Sequence, residues 1–174
     1  LAEPARTDAL LPVLDDILEA TLRAEEDFGM QHFLLPYGRA RPFVVQPARS
    51  LFLDGELALM LGARRWLRDE PRWARLHRER AATIRQRMES SPTLTVESYP
   101  DEAWTFCHAM ALASLVLLDA LDGTDHRPLI DAWLAHARAR LVDESTGLLV
   151  SSYTLDGEVR DGPEGSSLFM VAHC

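Results

Sequence analysis

The amino-acid sequence predicts an all-α fold in which buried and amphipathic helices alternate, with one short β-hairpin near residues 148–160. Apolar residues recur at helical spacing along most of the chain, and three buried helices have similar beginnings. Such alternation is typical of helical hairpins stacked side by side around an axis. We therefore expect residues 1–174 to form a single toroid domain, about half of a complete ring.

The first half of the chain supplies three helices and one long loop. Residues 8–26 have an apolar stripe with an acidic opposite face, and residues 48–68 are apolar nearly all round, as in a buried helix. Residues 71–90 begin with proline and are rich in arginine, which predicts a surface helix. Glycines and prolines break the segment 28–47, so we expect a functional loop that carries Tyr37.

The second half repeats the alternation. Residues 93–96 are predicted to be extended, and residues 101–121 form an apolar helix that ends before a glycine. Residues 125–142 are amphipathic, and residues 148–154 form a strand followed by a hairpin turn. A sixth helix is expected to begin near residue 163.

The beginnings of the three buried helices suggest a repeat. Ser50-Leu51-Phe52 recurs as Ser-Leu-Phe at residues 167–169, and the phenylalanines at 52, 106 and 169 are 54 and 63 residues apart. Six units of this period need on the order of 350 residues, so we expect the chain to be a piece of a larger toroid. A chance likeness is the alternative, because proline is common at the first position of helices.

Composition limits the classes of partner. The net charge of −9 disfavours nucleic acid, which requires a basic surface. Two cysteines are too few for a disulfide framework, and no apolar run approaches the ~20 residues that span a bilayer. The first residues lack the features of a secretory signal, which favours the cytoplasm. The expected partners are a small-molecule substrate and either a second copy of the chain or the remainder of the barrel.

The richest chemical cluster lies in residues 97–108, where polar and reactive groups lead into an apolar helix. If that helix begins at Asp101, then Asp101, Thr105 and His108 share one face, and they are suited to acid–base catalysis. The alternatives are a helix-capping aspartate and a structural histidine. Cys107 lies about 100° away on the helix, either as a small buried apolar residue or as a thiolate stabilised by the helix N-terminus.

Other acidic residues occupy positions that require explanation. Glu164 repeats the placement of Asp101 at another helix beginning, so the two carboxylates could face one lumen. Asp54 and Glu56 lie inside an apolar helix, where acids require partners. We favour structural ion pairs over a catalytic role for these two acids, and the candidate partners are Arg49 and the loop arginines Arg39 and Arg41.

Four segments carry a resemblance to a known family. They are residues 98–107 (SYPDEAWTFC), 121–129 (LDGTDHRPL), 146–153 (TGLLVSSY) and 161–167 (DGPEGSS). Together they resemble the linalool dehydratase/isomerase-like proteins, and the resemblance extends over about residues 48–174.

The resemblance implies an (α/α)6 barrel and cofactor-independent dehydration and isomerisation of a monoterpene alcohol. In that family the acid–base groups include a pair of cysteines. Cys107 matches the second cysteine of the pair. The first falls at Ser98, so this chain has a serine in place of one of the two cysteines.

We therefore expect a lyase or isomerase that acts on a small, largely apolar, terpenoid-like alcohol or alkene in the barrel lumen, with neither cofactor nor metal. The predicted catalytic residues are Asp101, His108, Cys107 and Glu164. The predicted substrate-binding residues are Tyr37, Ser98, Trp104, Thr105, Phe106 and Phe169.

Two other classes of function remain open. The first is a glycan-active barrel, because such barrels often place paired carboxylates at the ends of inner helices. Stacked aromatic rings and many polar groups in the lumen would favour it. The second is a non-catalytic helical scaffold whose apolar inner face binds a protein.

Overall fold

The computed structural model of the chain describes residues 4–174, and most of them are helical. The helices in this range are α1 Pro4–Phe28, α2 Leu51–Leu67, α3 Pro71–Ser90, α4 Thr105–Asp122, α5 Arg127–Arg140 and α6 Gly165–His173. All six predicted helices are therefore present. The predicted loop before α2 contains two short 3₁₀ helices, Met30–Phe33 and Pro36–Arg39.

The all-α description needs one correction, because a small antiparallel sheet accompanies the helices. Its strands are β1 Ala103–Trp104, β2 Ser152–Tyr153 and β3 Val159–Asp161, in the order β1-β2-β3. The hairpin formed by β2 and β3 was predicted. β1 was not, because residues 101–104 were assigned to the following helix.

The later start of α4 has a local cause. Asp101 adopts a left-handed backbone conformation with φ of 55°, which is incompatible with a right-handed helix. The chain turns there, and the Glu102 amide donates to the Tyr99 carbonyl at 2.9 Å. Thr105 then donates its amide to Ser151 beside β2, so the helix begins only at Thr105.

α2 and α4 form the centre of the fold, and two glycines of α2 allow their close approach. A Cβ atom at Gly55 would lie 3.2 Å from the Cys107 carbonyl oxygen, and one at Gly62 would lie 2.9 Å from Leu117 Cδ1. α3 packs against both helices, and α6 packs against α4. The largest apolar core lies between α2, α3, α4, α5 and the sheet, and a second lies between α1, α2 and α3.

The beginnings of α2, α4 and α6 meet at one end of the molecule. The Ser50 hydroxyl, just before α2, donates to the Ser98 carbonyl at 2.6 Å. Ser151 accepts the Thr105 amide of α4 with its carbonyl, and its hydroxyl accepts the Glu164 amide just before α6. Side chains near these three helix beginnings can therefore contribute to one site.

Candidate active site

Asp101 and His108 do not share a helix face, which corrects the geometry predicted for them. Asp101 precedes the helix, and its carboxylate forms an ion pair with Arg160 at 2.7 Å. Its amide donates to Glu97 Oε1 at 2.7 Å, so the residue closes a turn. With 41% of its side chain exposed, Asp101 lies at the surface of the turn.

His108 is fully buried inside the protein. Its Nδ1 lies 2.9 Å from the Trp104 carbonyl, and its Nε2 accepts the Val96 amide at 3.1 Å. This pair of bonds requires a neutral ring protonated at Nδ1. Burial lowers the pKa of His108 to about 4, and its ring stacks on Trp133. Neither ring nitrogen is left for a substrate.

Cys107 and Ser98, the two positions matched to the cysteine pair by resemblance, lie side by side. Burial raises the pKa of the Cys107 thiol far above its usual range, and the nearby Ser98 side chain only partly opposes this effect. The thiol is therefore protonated, and the predicted stabilisation of a thiolate by the helix N-terminus is outweighed by burial. The Ser98 hydroxyl also accepts the Trp104 amide at 3.2 Å.

Glu102, which was not among the predicted site residues, organises a polar network beside this pair. The Tyr37 hydroxyl donates to Glu102 Oε1 at 3.0 Å, and the Trp104 indole N–H donates to the same oxygen. Arg160 lies 3.9 Å from Oε2. Burial and the Glu102 carboxylate both raise the pKa of Tyr37, so its hydroxyl remains protonated. The network fixes Glu102 in position and leaves Oε2 with only a distant cation.

Glu56, which is partly buried, differs from the buried Asp54 on the same helix. Asp54 forms an ion pair with Arg49, as predicted, and another with Arg80. Glu56 makes no hydrogen bond or ion pair with any residue in the described range, and burial raises its pKa. The expected arginine partner of Glu56 is therefore absent from that range. Arg39 donates instead to the carbonyls of Leu34 and His32.

The surroundings of Glu56 are apolar. On α2 it belongs to a partly or fully exposed stripe at helical spacing, which comprises Phe52, Glu56, Leu59, Met60, Ala63 and Trp66. A matching stripe on α4 comprises Phe106, Ala109, Ala113, Val116, Leu117 and Ala120. Phe52 and Phe106 join the two stripes, with ring centroids 6.5 Å apart. Glu56 is the one charged side chain on these two described stripes.

Glu56 and Glu102 lie around the same pair of residues. Each carboxylate opposes ionisation of the Cys107 thiol and of the Tyr99 hydroxyl, which places both within electrostatic range of that pair. The two acids have different environments, since Glu102 accepts two strong donors and Glu56 accepts none. Two carboxyl groups in environments as different as these can take opposite roles in proton transfer, one as the acid and the other as the base.

Of the remaining predicted residues, Trp104 and Phe106 lie at the site, whereas Thr105, Glu164 and Phe169 do not. Trp104 and Phe106 contact each other beside Glu102, with ring centroids 5.8 Å apart. The Thr105 hydroxyl is buried and donates to the Val150 carbonyl at 2.8 Å, so it is not free for a substrate. Glu164 and Phe169 are exposed, and Phe169 packs against His173.

Sequence reasoning missed Glu102 and misassigned Glu56 for different reasons. Glu102 was expected to lie within the first turn of the helix, next to Asp101. In the structure the turn at Asp101 and strand β1 place its side chain beside Tyr37. Glu56 was considered, but an ion pair was expected for it. The feature that could have identified Glu56 is its position as an acid on an otherwise apolar helical stripe.

No model of a known protein family matches the chain. Within the part of the chain that the structure describes, no group of three or more His, Cys, Asp or Glu side chains is placed to share a metal ion. In the same part, α4 alone is long and apolar enough to cross a membrane, and half of it is buried inside the protein. A core helix of a water-soluble protein meets the same criteria, so they do not establish a membrane span.

Proposed function

We propose that the chain is an acid–base lyase or isomerase of the linalool dehydratase/isomerase-like type, which acts on a small apolar alcohol or alkene. The observation that carries this proposal is the unpartnered Glu56 carboxylate on an apolar face. Burial raises the pKa of Glu56 and so favours its protonated form, which can donate a proton to a leaving hydroxyl group. The apolar stripes of α2 and α4 would bind the hydrocarbon part of such a substrate.

The proposal assigns opposite roles to the two glutamates. Glu56 donates its proton to the substrate hydroxyl, the C–O bond breaks, and water leaves. Glu102, held by Tyr37 and Trp104, accepts the proton from the carbon next to the cationic centre, and the C=C bond forms. Glu56 ends ionised and Glu102 ends protonated, and exchange with water restores both. Cys107 and Ser98 line the site without ionising.

The proposal includes the barrel arrangement. α2, α4 and α6 would be inner helices of an (α/α)6 barrel, with α3 and α5 outside them. The meeting of the three helix beginnings and the apolar, partly exposed stripes of α2 and α4 support this arrangement. In such a barrel the stripes would line the lumen.

The test is a dehydration assay on the purified protein with linalool and other terpenoid alcohols, in which hydrocarbon products are detected by gas chromatography. Glu56→Gln should lower kcat by roughly 10²–10⁴-fold, the usual contribution of a general acid. Asp101→Asn is the matched control, because it neutralises an exposed ion pair, and it should change kcat little. Equal activity of wild type and Glu56→Gln would contradict the proposed role.

The glycan alternative has one observation in its favour, a stack of aromatic rings formed by Tyr37, Tyr99 and Phe52. These rings pack on one another, however, and Tyr99 is buried. The same purified protein should therefore leave oligosaccharides unchanged. Cleavage of an oligosaccharide that is lost in Glu56→Gln would favour the glycan class instead.

A further inference from the structure

A cavity lies away from the site proposed above. It has a volume of about 930 Å³ and lies between α3, residues 45–49, residues 90–97 and the turn after β2. This volume is within the range typical of small-molecule sites, ~300–1,000 Å³. Asp54 of α2 faces an arginine that lines this cavity, and Glu56 is about 200° away around the helix. The two sites are therefore on opposite sides of α2.

Three arginines line the cavity, and two of them are neutralised. Arg80 forms ion pairs with Asp54 and Glu25, and Arg49 forms ion pairs with the same two acids. These two cations and two anions balance each other. The third arginine, Arg87, forms no ion pair with any residue that the structure describes.

Arg87 is held in place although no carboxylate of the described chain forms an ion pair with it. Its Nη2 group donates to the Pro47 carbonyl, which fixes the guanidinium on the cavity wall. A guanidinium has five N–H donors, so four remain available for a ligand. Burial is the main reason that the pKa of Arg87 lies below its usual range, and the carboxylates of Asp54 and Glu97, which do not pair with it, oppose this effect only in part.

The acidic residues of the cavity wall do not supply the missing counter-ion. Glu97 accepts three backbone amides, from Val44, Val45 and Asp101, and so serves the loop. Glu79 forms an ion pair with Arg75 on the outer surface of α3. Asp156, which also lines the cavity, is exposed in the turn after β2 and contacts none of the three arginines.

We propose that this cavity binds a small organic monoanion, with a carboxylate paired to Arg87 and a compact apolar body. A single guanidinium without an ion-pair partner matches a single carboxylate, and its planar shape allows a bidentate geometry. The lining of the cavity also includes Val45, Leu76 and Leu155, which suit a hydrocarbon body. The ligand is distinct from the alcohol substrate proposed for the Glu56 face.

Calorimetric titration of the purified protein with hexanoate tests this site. Hexanol and hexylamine share its hydrocarbon body and serve as ligand controls, and inorganic phosphate tests a more highly charged anion. Hexanoate should bind, and Arg87→Gln should weaken it by about tenfold or more, the loss expected for a hydrogen bond to a charged group. Arg85→Gln, an exposed arginine on the same helix, is the protein control and should bind hexanoate as wild type does.

Further outcomes separate this site from the catalytic proposal. Glu56→Gln should retain hexanoate binding, whatever its effect on dehydration. Arg87→Gln should melt at the same temperature as wild type or higher, because it removes a charge that forms no ion pair in the described chain. Absence of hexanoate binding at millimolar concentration, equal binding of hexanol, preference for phosphate, or equal loss in the Arg85 and Arg87 variants would each overturn the proposal.

Discussion

Two buried histidines, His77 and His108, hold their rings between fixed partners. His77 accepts an N–H of Arg65 at Nδ1 and lies 3.2 Å from the Ser114 carbonyl through Nε2. His108 is bonded to two backbone groups. Burial is the leading cause that lowers the pKa of both from 6.5 to about 4. Both rings are therefore neutral in the folded protein at neutral pH.

These histidines predict a loss of stability in mild acid. The unfolded chain binds their protons below pH 6.5 and the folded chain only near pH 4, so their stabilisation is complete above pH 6.5 and is lost as the pH falls toward 4. Each contributes on the order of 3 kcal/mol. The free energy of unfolding in urea should fall across this window.

The His108→Gln variant, together with the different pH range of Asp122, shows whether the histidines cause the fall in stability. His108→Gln removes one of these histidine titrations and should make the fall shallower; His136, whose pKa burial also lowers, remains in both proteins. The pKa of Asp122, which is paired with Arg78 and Arg65, lies below its usual value of 3.8, so its contribution is lost only below that pH. A free energy of unfolding that is constant between pH 6.5 and 4 would contradict the histidine assignment.

At the scale of helices, the approach of α2 to α4 depends on small residues. At Gly62 a Cβ atom would lie 2.9 Å from Leu117 Cδ1 and 3.0 Å from His77 Cε1. The His77 ring is held at both nitrogens and cannot move aside without loss of a hydrogen bond. Gly62→Ala should therefore destabilise the protein by about 1–3 kcal/mol, the range for overpacked cores.

Gly165→Ala is the matched control for this substitution. Gly165 also lies in a helix, but a Cβ atom there would meet nothing within 4 Å. Its replacement should leave the free energy of unfolding unchanged or raise it, since alanine favours helix. Equal effects of the two substitutions in chemical denaturation would show that α2 and α4 are not in tight contact at Gly62.

The helices themselves could be predicted from the sequence, because apolar spacing and proline at helix beginnings are local patterns. The start of α4 could not. The left-handed backbone at Asp101 closes a tight turn that helical spacing does not reveal. The pairing of Trp104 with Ser152 depends on a strand that is distant in sequence. Because residues 101–104 were assigned to the helix, Asp101 was expected on the same helix face as His108. For the same reason Glu102 was not recognised as a site residue.

At the scale of the whole molecule, the apolar stripes of α2 and α4 leave large side chains exposed. Trp66 and Val116 are 53% and 52% exposed, respectively. Contiguous apolar surface of this kind favours association. We expect the 174-residue chain to associate with a second copy as its concentration rises, which sedimentation velocity would detect.

Val116→Arg should reduce this association, because it places a charge on the apolar stripe of α4. Ala82→Arg is the control, since Ala82 is exposed on α3, outside the two stripes. A sedimentation coefficient that does not change with concentration would contradict the expectation, as would equal effects of the two variants.

Glu56 is the proposed proton donor because its apolar environment favours the protonated carboxylic acid. Titration of the Glu56 carboxyl carbon by ¹³C NMR, assigned through the Glu56→Gln variant, measures this directly. We expect a pKa above the ordinary value of 4.5, because burial is uncompensated by any partner. A pKa at or below 4.5 would show that the carboxylate is solvated or paired, and would contradict its role as the proton donor.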